Sequence, residues 1–272
     1  MKTKMKKQWL ALACVAALAA SATASADGSS SVSVGFDYSS GKYGSTTTTD
    51  IWSLPFAFGY QSDRWSWKLT VPYIRVSGSG NVIPGLGGTD NRNPRGRGRN
   101  GGTLPSTDTA GSASGLGDVV ASAGYTLVSD QASGFGLDLT GKVKFGTADE
   151  AQGLGSGQND YTVALDAYRS RNDWTVFGGV SYAVLGDSDF LQLDDVFGAN
   201  VGANYKIDDA SSWGAVYDFR QKASERSGSR SELTGFYSHK VGASTKLQAY
   251  ALAGFSDGSP DWGAGLSLKY GF

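Results

Sequence analysis

Among 272 residues there is one histidine, one cysteine and only six prolines, and charged side chains make up just 18%. One histidine and one cysteine cannot build a Cys/His zinc site, a two-histidine metal centre or an intramolecular disulfide. A formal net charge of -1 offers no global field to attract nucleic acid or an anionic membrane. The composition therefore argues against a nucleic-acid-binding protein, and no metal or other cofactor is expected. Past residue 27 no stretch is continuously apolar over the roughly 20 residues that a spanning helix needs, and none repeats with the 3.6-residue period of an amphipathic helix. What the chain has in abundance is 39 glycines, 13 tyrosines, 12 phenylalanines and 7 tryptophans. That aromatic content is too high for a disordered chain.

The first 26 residues differ from the rest. Lys2, Lys4, Lys6 and Lys7 precede an apolar run from Trp9 to Ala20, and Ala24-Ser25-Ala26 supplies the small-x-small pattern of a cleavage site before Asp27. The pattern predicts a cleaved secretory signal peptide at 1–26; the run is too short for a membrane anchor. Cys14 lies inside the apolar run, a poor position for a lipid attachment site. Removal of the leader takes away four lysines and the only cysteine, leaving 20 basic against 25 acidic residues. The chain from 27 to 272 is acidic and free of cysteine.

That remainder alternates with period two almost throughout. Trp52, Leu54, Phe56, Phe58 and Tyr60 alternate with Ser53, Pro55, Ala57 and Gly59, and Phe135, Leu137, Leu139, Val143 and Phe145 leave Asp138, Thr140, Lys142 and Lys144 on the other face. Twelve such segments are expected, at 31–39, 47–60, 65–76, 118–128, 135–145, 159–168, 174–184, 196–205, 212–221, 230–239, 245–255 and 262–272. Each is near the 9 to 11 residues of a tilted bilayer-crossing strand, longer than the five or six typical of soluble sheets. The fold class expected is an all-β, up-and-down antiparallel transmembrane barrel of twelve strands in the bacterial outer membrane, with both termini periplasmic.

Two further patterns agree with that fold. With the first strand running outward, the inner turns at 61–64, 129–134, 169–173, 206–211 and 240–244 are uniformly short. The outer loops at 77–117, 146–158 and 185–195 are longer, the first a Gly/Arg-rich segment far longer than the others. Aromatics divide likewise: Tyr60, Trp65, Trp174, Tyr205, Trp213, Tyr237, Tyr270 and Phe272 are expected at the inner interface. Trp52, Tyr73, Tyr161, Tyr182, Phe197, Phe219 and Trp262 are expected at the outer one.

The chain ends Trp262-Gly-Ala-Gly-Leu-Ser-Leu-Lys-Tyr-Gly-Phe272, with Ala264, Leu266, Leu268, Tyr270 and Phe272 on one face. This resembles the C-terminal assembly signal of Gram-negative outer-membrane proteins, implying Tyr270 and Phe272 as the residues read by the barrel-assembly machinery. Gly115-Leu116-Gly117-Asp118-Val119 resembles the strand opening common in the outer-membrane transporter family associated with the MetA pathway of phenol degradation. The likeness in strand pattern extends over most of the chain after the leader, while its specific motifs are these two. It implies a barrel that takes up small, often hydrophobic or aromatic compounds, and it brings no catalytic residues. A plain turn into a strand explains Gly115 and Gly117 equally well.

Parity places Lys68, Lys142, Lys144, Arg220, Arg230, Lys246 and Lys269 inward, together with Asp37, Asp138, Asp160, Asp166, Asp218 and Glu232. Around water such a mixture lines a pore; in a narrow barrel the same groups pair and close the interior. Arg92, Arg95, Arg97 and Arg99 of the longest loop are candidates for the mouth, meeting lipopolysaccharide phosphates or forming a constriction, with a long disordered tip as the plain alternative. Pro55 and Pro72 each remove a ladder hydrogen bond, which either weakens the wall towards a lateral exit or only shapes it. His239 is the sole candidate general base, but Ser238 beside it points to the opposite face of the strand. The sequence leads to a passive channel for small solutes, with a closed structural or interaction barrel whose outer loops bind envelope components or a partner as the alternative, and no enzyme.

Overall fold

The computed structural model describes residues 28–89, 91–93, 97, 109–225 and 227–272. The leader expected at 1–26 lies outside them, as do Arg95 and Arg99.

Alternation along the chain becomes a closed wall. In chain order the strands are β1 (Gly28–Gly41), β2 (Thr49–Ser62), β3 (Trp65–Ser79), two short strands β4 (Val82–Ile83) and β5 (Gly87–Gly88), then β6 (Ala110–Leu116) and β7 (Val119–Asp130). They continue with β8 (Phe135–Phe145), β9 (Asp160–Arg171), β10 (Trp174–Val184), β11 (Val196–Lys206), β12 (Ser211–Arg220), β13 (Arg230–Lys240), β14 (Thr245–Gly254) and β15 (Trp262–Gly271). Each wall strand pairs antiparallel with its neighbour, and β1 closes the ring by pairing with both β2 and β15. β7 and β6 lie end to end along β3, parted at Gly117-Asp118, and together form one stave of a twelve-stranded barrel. Closure removes the sheet edge, so backbone donors and acceptors are satisfied without water. An eleven-residue strand such as β8 extends about 36 Å and, tilted by about 40°, stands roughly 28 Å high, close to the thickness of a bilayer's hydrocarbon core.

The wall is inside out relative to a soluble sheet. Val34, Phe36, Leu139, Val163, Val180, Val201, Leu233 and Leu266 are exposed on its outer face. Aromatic clusters mark its two ends. Trp174, Tyr205 and Trp213 pack together beside the short turns, with ring centroids 5.0 to 6.5 Å apart. Tyr182 with Phe197, and Tyr38 with Trp52 and Trp262, pack beside the long loops.

The strand boundaries near the longest loop differ from the expected ones. Ser77–Ser79 continue β3, and Ala110–Leu116 form β6 opposite Tyr73–Ser79, so the connection spans 80–109 rather than 77–117. The run Ala110-Gly-Ser-Ala-Ser-Gly-Leu116 carries no large apolar side chain before Leu116. Its outer face has no hydrophobic alternation to read, because it lies near the loop end rather than in the apolar belt.

Candidate functional site

The barrel interior is the candidate site, and the chain enters it at the loop end. After β3, β4 and β5 pair as a small hairpin whose tip, Pro84–Leu86, lines two cavities on the inside of the wall, of about 490 and 480 Å³. The strands either side of the loop do not hold this tip. Arg220, the last residue of β12, donates from both Nη atoms to the carbonyls of Gly85 and Leu86, each at 2.9 Å. Around the ring β12 is six strands from β3 in either direction. The hairpin is therefore a strap that crosses the mouth and is fastened on the far side.

Packing reinforces the fastening. Ile83 and Leu86 are buried with Leu185, Leu191, Leu193, Val196 and Ala223, at the start of β11 and in the neighbouring loops. Burying two such side chains contributes about 1.5–3 kcal/mol each. On its other flank the strap runs against backbone: a Cβ at Gly88 would fall on the Tyr43 carbonyl oxygen and one at Gly87 would lie 2.7 Å from that of Gly258. Gly87 also has φ +89°, so both spacing and conformation require glycine there. Tyr43, in the loop after β1, is buried against the strap; burial pushes its phenol up to about 12, and its hydroxyl bonds Ser39 Oγ at 3.0 Å.

The root of the strap is braced by Arg97. Its side chain, 4% exposed, donates to the carbonyls of Gly153, Ser79 and Val82. Ser79 N–H donates to Thr49 Oγ1 at 3.0 Å, and Asn91 Nδ2 to the Gly80 carbonyl at 3.0 Å. Of the arginines expected at the mouth, Arg97 is thus enclosed by backbone carbonyls. Arg92 lines a separate loop-end cavity beside Asp187, Asp189, Asp194 and Glu225, and its backbone N–H donates to the Phe190 carbonyl at 2.9 Å.

Below the strap, the register aligns the inward charges in rows. Asp138 stands opposite Asp166, which stands opposite Gly179, and the row continues through Asn200 and Asp218 to Glu232. Four carboxylates thus share one row across six adjacent strands. Asp166 occupies the space a Cβ at Gly179 would need, and it accepts from Asn200 Nδ2 at 3.3 Å. One row towards the loops, Arg220 and Arg230 are partners, and Arg230 Nε lies 3.0 Å from Glu232 Oε1. Lys144 bridges Asp118 at 3.2 Å and Asp160 at 2.9 Å. Lys68 and Lys142 flank Ser122 in another row. Lys246 and Lys269 stand opposite one another at the turn end, next to Lys240. Asp37 accepts from the Tyr250 hydroxyl at 2.7 Å.

Other expected positions have local roles. Gly117 N–H donates to the Pro72 carbonyl at 2.8 Å, and a Cβ on Gly117 would lie 3.0 Å from Pro72 Cγ, so the glycine lets the β6–β7 break pass the proline. Asp118 accepts from Ala148 N–H at 2.9 Å, tying the break to the loop after β8. Pro55 and Pro72 are direct cross-strand partners. Tyr270 and Phe272 are exposed on the outer face with rings 6.1 Å apart, and the Phe272 backbone exchanges two hydrogen bonds with Ser30. His239 Nδ1 shares a 3.0 Å hydrogen bond with Ser211 Oγ on β12, while Ser238 is buried on the opposite face. The sequence signals Ser238 by adjacency; only the β12–β13 register reveals Ser211.

No protein-family model matches the chain, and no curated protein matches it. Solved structures do. An outer-membrane channel from Pseudomonas putida F1 superposes with a TM-score of 0.64 at 18% identity, over 92% of this chain and 97% of that one. The KdgM porin superposes with a TM-score of 0.50 at 11% identity, over 89% of this chain and 99% of that one. At these identities the likeness is one of fold, and the fold is that of an outer-membrane β-barrel. The exposed apolar belt is accordingly the surface that meets lipid.

Proposed function

We propose that the chain is a passive channel carrying small solutes, hydrophobic or aromatic ones among them, across the bacterial outer membrane. The observation that carries this reading is the interior itself: the two cavities beside the strap have charged and polar side chains among their lining, inside a wall whose outside is apolar. Fixed charges around a hydrated space screen solutes by size and sign. In this reading Lys68, Asp138, Lys142, Lys144, Asp160, Asp166, Asp218, Arg220, Arg230, Glu232, Lys246 and Lys269 line the path. The long loops face outward, where they meet lipopolysaccharide, and both termini face the periplasm. Tyr270 and Phe272 are the residues presented to the assembly machinery. His239 has no part in catalysis, since its hydroxyl neighbour Ser211 sits at the turn end, away from both cavities.

Planar-bilayer recording tests the reading. Discrete conductance steps are expected from the folded protein. Their absence, both in the whole chain and after removal of 80–109, would overturn it. A second reading, a closed barrel whose loops bind envelope components or a partner, draws on the tight mouth, where two buried apolar clusters join the loops to the wall. It expects no flux, and loss of function from loop changes but not from swaps of lumen charge.

A further inference from the structure

The two cavities beside the strap have similar volumes and different linings. Both touch Pro84–Leu86, but one reaches towards β1–β3, β13 and β14 and the other towards β8–β12. Ile51, Pro72, Ile74, Leu154, Leu252 and Pro260 supply the first with apolar surface. Its basic side chains are ion-paired, Lys144 with Asp118 and Arg230 with Glu232, and the Asp37 carboxylate accepts from the Tyr250 hydroxyl. The second has apolar wall too, from Val120, Leu185 and Val196, but adds the polar side chains of Thr140, Thr162 and Asn200 and the charges of Lys142, Asp166 and Asp218. Among the described residues neither Lys142 nor Asp218 has an ion pair or a side-chain hydrogen bond.

We propose that the strap, latched by Arg220, divides the lumen into two parallel conduits: a more apolar one, whose basic side chains are ion-paired, for uncharged amphipathic solutes, and one bearing Lys142 and Asp218, which have no ion pair, for small ions. The physical basis is the cost of desolvation. An ion entering a space whose fixed charges are already paired loses hydration and gains little in return, whereas unmatched charges offset that loss. An uncharged solute with an apolar body gains from Ile51, Ile74 and Leu252 and has nothing to gain beside Lys142. The partition depends on the strap because both spaces share Lys144 and Arg230. Without the tip they join. Arg220 fixes the tip through a planar fork reaching two carbonyls, a geometry that lysine, with a single ammonium, cannot reproduce.

The inference rests on the channel reading, and one experiment separates the two. The whole chain is reconstituted in planar bilayers for potassium chloride conductance, and in liposomes for swelling driven by phenyl β-glucoside, an uncharged amphipathic probe. Ala164→Trp places bulk in the charged conduit and Leu252→Trp in the apolar one. Ala164→Trp is expected to lower ion conductance several-fold with glucoside flux retained, and Leu252→Trp to do the reverse. In an Arg220→Lys background the conduits merge, and each block is expected to affect both readouts. Ala164→Leu and Leu252→Phe, milder intrusions, give the same crossed pattern at smaller size if either Trp variant fails to insert. If each block lowers both readouts in proportion with Arg220 in place, the partition is wrong and the channel reading stands. If neither probe passes in any variant or in the chain lacking 80–109, both fall.

Discussion

Arg220 and Leu86 meet across the barrel: the guanidinium at the end of β12 donates to the Leu86 carbonyl at 2.9 Å and to that of Gly85 at the same distance, although Leu86 follows the strand on the far side of the ring. Hydrogen bonds from a charged donor contribute about 1.5–3 kcal/mol each. Arg220→Gln and Arg220→Lys should both loosen the strap tip. Hydrogen exchange is expected to rise at 83–88 while β12 and β13 stay protected. Unchanged exchange at the tip would show that the apolar cluster around Leu86 suffices without the guanidinium.

Arg97 holds the other end of the strap. It is almost fully enclosed and donates to three carbonyls from three segments, Ser79, Val82 and Gly153. Arg97→Ala leaves those acceptors short of a partner at about 1–3 kcal/mol for each one that stays buried. The expected result is protease cleavage between 80 and 93 in a barrel that still shows heat-modifiable migration on gels. Arg97→Lys should rescue little, because one ammonium cannot span three carbonyls as the guanidinium does.

These two arginines show where sequence and structure part. The wall was legible because each strand separates water from lipid, and that boundary imposes strict alternation: Phe135, Leu139 and Phe145 outward, Thr140, Lys142 and Lys144 inward. The expectation of inward charges rests on parity alone. Arg220 reads as one more pore-lining charge because parity fixes its face and says nothing of the backbone that reaches it from six strands away. Arg97 reads as a mouth residue because it sits in a Gly/Arg-rich run with no period, and only its enclosure by carbonyls distant in sequence turns it into a brace. The same holds for Asp118, whose place after two glycines resembles a strand opening. Its contacts with Ala148 and Lys144 come from the loop after β8 and from β8 itself.

The carboxylate row makes a prediction about stability. Asp138 and Asp166 are direct partners on β8 and β9, an arrangement of like charges that opposes pairing. Asp138 has no side-chain hydrogen bond among the described residues, whereas Asp166 accepts from Asn200. Asp138→Asn should therefore stabilise the barrel by about 0.2–1 kcal/mol at neutral pH. Urea unfolding in lipid vesicles checks the gain, which should shrink as salt is raised because added ions screen the repulsion in the wild type. A loss of stability would mean that Asp138 has a favourable partner the row does not show.

The turn between β11 and β12 carries a pH-dependent element. Asp208 Oδ1 accepts from Ala210 N–H at 2.7 Å and Ser211 N–H at 2.6 Å, and these two backbone donors hold its carboxyl below the usual aspartate range. A folded-state value below the unfolded one means the carboxylate adds stability that is present above the unfolded value, about 3.9, and is lost as pH falls through the depressed folded value. The transition that protonation of Asp208 produces in the Ala210 amide resonance should fall below the ordinary aspartate range. Asp208→Ala should abolish that transition and loosen the turn next to the Ser211–His239 hydrogen bond. A transition centred at the ordinary aspartate value in the unmodified protein would show that the two amides do not favour the charged form.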